Sequence, residues 1–86
     1  MKGVVVTVVR YERKREFRVW DMAGCWYGVE TKYIKNGKLD IPLKRCLHGG
    51  SMNEVVDLIE AHCKFDDLVA GGMDRAEAAS LALFGE

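Results

Sequence analysis

Eighty-six residues, 49% of them hydrophobic and only one a proline, exclude a disordered chain and leave room for one modest core. The longest apolar run, Val4-Val5-Val6-Thr7-Val8-Val9, is too short for a membrane span, which takes roughly 18 residues or more. Thirteen Lys and Arg balance thirteen Asp and Glu, but residues 1–46 hold eleven cations against five anions and residues 47–86 hold two against eight.

The chain therefore reads as a single domain, 1–86, with a basic half at 1–46 and an acidic half at 47–86. The cations fall on expected strands and the anions on expected helices, so the two sets are expected on opposite sides of the fold. No apolar secretory core with a small-residue cleavage site opens the chain. Three cysteines without a C-x-x-C pair suit a reducing compartment, and a cytoplasmic location is expected.

Gly3 to Tyr11 is rich in β-branched residues and reads as the first strand. Val4, Val6 and Val8 line one face; Val5, Val9 and Tyr11 line the other. A strand apolar on both faces belongs in the middle of a sheet or under cover, whereas in a plain meander it is an exposed edge. Either another strand flanks it, or two protomers meet along it as a homodimer. Glu12-Arg13-Lys14-Arg15 lacks glycine and reads as a longer or bulged charged turn. Glu16 to Asp21 follows as the second strand, with Phe17 and Val19 opposed to Arg18 and Trp20.

Met22-Ala23-Gly24 breaks the run, and Cys25 to Tyr33 reads as the third strand. Asn36-Gly37 signals a type I′ hairpin, and Lys38 to Ile41 returns as the fourth strand, ended by Pro42. Setting Tyr27, Val29, Leu39 and Ile41 under the helices leaves Trp26, Glu30, Lys32, Lys38 and Asp40 outside. Both tryptophans, Trp20 and Trp26, would then share the solvent face with Arg18 and Lys32.

Leu43 to Gly50 reads as the crossover to a helix over Met52 to about Ala70, with a kink conceivable near Phe65-Asp66. Ser51 and Glu54 form a capping box, in which the Glu54 carboxylate should return to the Ser51 amide. Met52, Val55, Val56, Ile59 and Cys63 make the apolar stripe, and Gly71 is the expected left-handed stop. Asp74 caps a second helix whose small residues, Ala76, Ala78, Ala79, Ser80 and Ala82, permit close packing, with Leu81, Leu83 and Phe84 as its apolar contacts. The expected fold is α+β: an antiparallel sheet of about four strands, a β-meander, followed by two α-helices packed on one face.

Chemistry-bearing motifs are sparse. Trp20, Trp26, Arg18 and Lys32 combine the residue types that dominate binding hot spots. Arg13, Lys14 and Arg15, with Arg10, make a basic hairpin able to lie along phosphates, although Glu12 and Glu16 interleave with them. Lys44, Arg45, His48, Gly49, Gly50 and Ser51 precede a helix N-terminus, where amides and the dipole favour an anion or nucleotide, although no P-loop spacing is present. Cys46, His48, His62 and Cys63 have the elements of a zinc site, but His62 and Cys63 are adjacent on a helix and diverge, so no metal or other cofactor is expected.

With no oriented nucleophile and base, enzymatic activity is not expected. The reading is a small non-enzymatic interaction protein that binds and inhibits or modulates a protein or nucleoprotein partner. By size and composition alone it is similar to accessory proteins of phages and mobile elements, including anti-defence inhibitors such as anti-CRISPR proteins. Direct DNA or RNA binding through the basic hairpin and sheet, and anion sequestration at Gly49-Gly50-Ser51, are the alternatives.

Overall fold

The β-branched run at the start of the chain forms strand β1, Val4–Arg10, which turns back at once into β2, Arg13–Met22. Strand β3, Cys25–Glu30, follows β2 antiparallel, and a single 3-10 turn at Thr31–Tyr33 ends it short of the expected Tyr33. The computed structural model describes residues 3–85. After β3 come a two-residue-strand hairpin, β4 Ile34–Lys35 and β5 Lys38–Leu39, and a 3-10 turn at Leu43–Arg45. The chain continues through β6, Leu47–Gly49, helix α1, Met52–Ala70, and helix α2, Arg75–Phe84.

The α+β architecture is present as a four-stranded antiparallel sheet in the order β1-β2-β3-β6, followed by the two helices. Its fourth strand, however, is Leu47–Gly49, which the sequence suggested was crossover, and not Lys38–Ile41. The β4–β5 pair forms a separate two-stranded sheet. Asn36 and Gly37 do take positive φ, 54° and 75°, as a type I′ turn requires. The hairpin signal was correct, but a hairpin does not reveal which sheet it joins.

The first connection is tighter than expected. Tyr11 and Glu12 alone span it, both left-handed at φ 51° and 65°, in place of a longer or bulged loop. Side chains with a Cβ resist that region, so something else must hold the turn. The continuous register from Val4↔Val19 to Arg10↔Arg13 does so from the strands. Ion pairs at the tip, described below, add to it.

The main core lies between the sheet and α1. Phe17, Val19, Val55, Ile59 and Cys63 are buried together, and Val6, Val8, Trp26, Leu47 and Met52 pack around them. Gly28 pairs with Val19 and shares its face. A Cβ built on Gly28 would lie 2.7 Å from Val55 Cγ1 and 3.3 Å from Ile59 Cδ1, so α1 rests on bare backbone there. That contact corrects the expected parity of β3. Gly28, Trp26 and Glu30 face α1, while Tyr27 and Val29 face away.

Helix α1 begins as a capping box displaced by one residue. Glu54 N–H donates to Ser51 Oγ at 3.2 Å, but the Glu54 carboxylate accepts from the Gly50 amide, at 2.9 Å, and not from Ser51. The helix ends in a Schellman motif: Met73 N–H donates to Leu68 C=O and Gly72 N–H to Val69 C=O. The left-handed residue is therefore Gly72, at φ 101°, one beyond the expected Gly71. Asp74 caps α2, its Oδ2 accepting from the Ala76 and Glu77 amides. α2 packs against α1 through small residues, with Ala78 fully buried. Leu81, Leu83 and Phe84, expected to supply its contacts, are exposed, Phe84 at 84%.

Gly28→Ala should destabilise by about 1–3 kcal/mol through overpacking against Val55, whereas Gly50→Ala, with only the tip of Glu54 nearby, should stay within about 0.5 kcal/mol. Urea unfolding of both variants checks the contrast. Glu12→Gly should stabilise by about 0.5–1 kcal/mol in the same assay, since relief of left-handed strain outweighs the added chain entropy of glycine.

Candidate interaction surface

The sheet has one face under α1 and one that the helices leave open. On β2 the residues Lys14, Glu16, Arg18, Trp20 and Met22 point to the face away from α1, opposite Val9, Thr7 and Val5 of β1 and Val29, Tyr27 and Cys25 of β3; Val29 is buried, at 4% exposure, so the face is covered at that point. Trp20 pairs with Tyr27, and their rings stack with centroids 5.7 Å apart and planes 25° from parallel. His48 of β6 pairs with Tyr27 on its other side, so three rings form a row across three strands. Near the row Val5 is 48% exposed and Met22 46%; Val9, at 63%, lies at the hairpin end of the face, opposite Lys14.

This differs from the expected surface in two residues. Trp26 lies on the helix face and packs at the rim of the core, so the tryptophans point in opposite directions. Lys32 is not on the sheet at all; it sits in the 3-10 turn, with its Nζ 3.7 Å from Glu30 Oε1 and 5.2 Å from the centroid of the Tyr33 ring. Arg18 and Trp20 are where the sequence put them. Tyr27, Val5, Val9 and Met22 belong to the surface and were not identified in advance. The signal that could have found Tyr27 was Gly28: a glycine inside a strand often marks a close approach of other chain, which makes it the inward residue.

The basic hairpin is largely neutralised. Arg10 Nε and Arg13 Nη2 hold the two oxygens of Asp67, at 2.5 and 2.8 Å. Arg15 makes a bidentate pair with Glu30, at 2.7 and 3.0 Å, and reaches Asp66 at 2.9 Å. His62 Nε2 lies 3.4 Å from the same Asp66 oxygen, with its ring edge-on to Phe17. The basic and acidic halves thus meet at the end of α1 and do not occupy opposite sides. Asp66 and Asp67 fall in the last turns of the helix, where the dipole disfavours carboxylates unless cations are close. Two acids at that place were a legible sign of docked arginines.

The electrostatics follow these contacts. The hydrogen bond from Arg10, then that from Arg13, holds the Asp67 carboxyl below its ordinary value, and the bidentate bond from Arg15 does the same for Glu30. Arg15 and Arg10 are raised in turn, first by those same bonds. Burial raises the Cys46 and Cys63 thiols; Cys25 is exposed.

The proposed anion cradle does not converge. Lys44 and Arg45 lie in a 3-10 turn and His48 on the open sheet face, while the Gly50 amide and Ser51 hydroxyl are engaged by Glu54 itself. The helix start carries its own carboxylate. Among the described residues no His, Cys, Asp and Glu cluster arranged to hold a metal ion is present, and no helix is long and apolar enough to cross a membrane. Comparison with protein-family models, curated proteins and solved structures finds no match for this chain.

Depressed carboxyls mean that the unfolded chain binds more protons than the folded one in acid, so stability rises with pH there. The contribution of Asp67 and Glu30 is present above their ordinary range, near pH 4, and is lost as pH falls through their lowered values. Urea midpoints of the wild type should therefore fall steeply below about pH 4, and Asp67→Asn and Glu30→Gln should each flatten that limb while lowering stability at pH 7.

Proposed function

We propose that this protein is a non-enzymatic binding module that docks its helix-free sheet face onto another protein and inhibits or modulates that partner by covering its surface. The observation that carries the reading is the Trp20–Tyr27 stack, with His48 paired to Tyr27 on the next strand and exposed Val5 and Met22 nearby, on a sheet backed by α1. Stacked rings held by cross-strand pairing lose little side-chain freedom on binding, which is why aromatic anchors dominate protein interfaces. Lys14, exposed on the same face, suits a partner with an apolar centre and an acidic rim.

Two further observations support a protein partner over a nucleic acid. Arg10, Arg13 and Arg15 are committed to Asp66, Asp67 and Glu30, which removes most of the hairpin's attraction for phosphates. Glu16 also sits on the open face between Lys14 and Arg18. For the non-enzymatic part, the shifted carboxyls and guanidinium groups are shifted chiefly by each other, as structural ion pairs are, and the thiol beside them, Cys63, is buried and raised, the opposite of an activated nucleophile.

The test is affinity capture of a partner with tagged protein, followed by binding measurements on Trp20→Ala, Tyr27→Ala and, as controls, Trp26→Phe and Phe84→Ala. Trp20→Ala and Tyr27→Ala should each weaken binding at least tenfold, on the order expected of hot-spot residues, and the controls should bind as wild type. Equal binding by all four variants would overturn the assignment of the face. Retardation of single-stranded DNA or RNA that weakens steeply with salt and is lost in Trp20→Ala would replace the protein partner with a nucleic acid.

A further inference from the structure

The two edges of the sheet are not alike. The β6 edge is three residues long and runs through Gly49 and Gly50 directly into α1, which leaves little to pair with. The β1 edge is seven residues long, in unbroken register with β2, and has neither a proline nor a bulge to deter pairing. Its side chains are exposed on both faces, Val4 at 46%, Val5 at 48% and Val9 at 63%. α1 lies mainly over β2, β3 and β6 and meets β1 through Val6, Val8 and the Arg10–Asp67 pair, while among the described residues no strand pairs with the outer edge of β1.

The main chain of β1 also points outward in an ordered way. A two-residue turn closes on a hydrogen-bonded pair, here Arg10 and Arg13, and such pairs alternate along an antiparallel ladder. Val8, Val6 and Val4 therefore bond to β2, whereas the N–H and C=O groups of Val5, Thr7 and Val9 face away from it. Around Thr7 the sequence is a palindrome, Val5-Val6-Thr7-Val8-Val9.

We infer that β1 pairs antiparallel with β1 of a second copy of this chain, about a two-fold axis at Thr7, to form one continuous eight-stranded sheet. In that register each Thr7 faces its counterpart and Val5 faces the second copy's Val9, so all three outward residues enter hydrogen-bonded pairs. The side chains match as well. Val5 and Val9 meet on the open face, Val6 and Val8 meet on the helix face, and every directly opposed pair among them is apolar. An isologous contact of this kind closes after two copies, because each β1 edge is consumed. This inference is independent of what the open face binds.

Light scattering coupled to gel filtration, from about 1 to 500 μM, should show a dimer, as a micromolar association requires. Val5→Lys with Val9→Lys sets like charges opposite one another and should weaken association at least tenfold, while Val5→Lys with Val9→Glu sets opposite charges across the axis and should restore it. Thr7→Cys in a Cys25→Ser background should be joined between copies by a short bis-maleimide, because opposed Cα atoms in a hydrogen-bonded pair lie about 5.5 Å apart, within its reach. A wild type that stays monomeric throughout would overturn the inference. So would a dimer that survives the double lysine variant but is lost in Phe84→Lys, which would place the contact on α2. A mixed-charge variant as monomeric as the double lysine, or a Thr7→Cys protein that does not cross-link, would rule out the two-fold register. Far-UV circular dichroism of each variant confirms that β1 is still folded.

Discussion

The seating of α1 on the bare backbone of Gly28 is the contact on which the rest of the structure depends. Val55 and Ile59 approach the sheet at a position where no side chain intervenes, and Phe17 and Val19 on the neighbouring strand complete the floor. Because strand side chains alternate, this single choice assigns every residue of β3 to a face. Trp26 is drawn in to close the rim of the core, and Tyr27 is turned outward beside Trp20. Had the helix rested over Tyr27 and Val29, the stacked pair would not exist.

Charge provides the second organising constraint. The acids at the end of α1 oppose the helix dipole and need cations, and the first hairpin supplies them from residues more than fifty positions away in sequence. The same bonds brace a turn whose two residues, Tyr11 and Glu12, both sit in a region that side chains resist. A feature that resembles a nucleic-acid contact in one dimension thus acts, in three, as a clasp between hairpin and helix. Its net effect outside the molecule is small because its charges are already matched.

Much of the exposed apolar surface lies on the sheet face away from α1 and on the β1 edge, and the two are contiguous through Val5 and Val9. Self-pairing along β1 would lay two copies of the open face side by side on one sheet, doubling the aromatic surface without altering either protomer. Exposed Leu81, Leu83 and Phe84 on α2 form a separate apolar patch at the far end of the chain.

Local order determined much of this protein from sequence alone. The β-branched run, the Asn36-Gly37 turn, the caps at Ser51 and Asp74 and the stripe of α1 depend on near neighbours in the chain, and the structure keeps each of them. Tertiary contact decided what near neighbours could not. A residue without a side chain shows no hydrophobic pattern, so the inward position of Gly28 was hidden and β3 was read one step out of phase. A three-residue strand such as Leu47–Gly49 is too short to show alternation, and only pairing with β3 makes it one. The partners of Arg10, Arg13 and Arg15 lie across the fold, so the meaning of those charges emerged only when the helix end and the hairpin met.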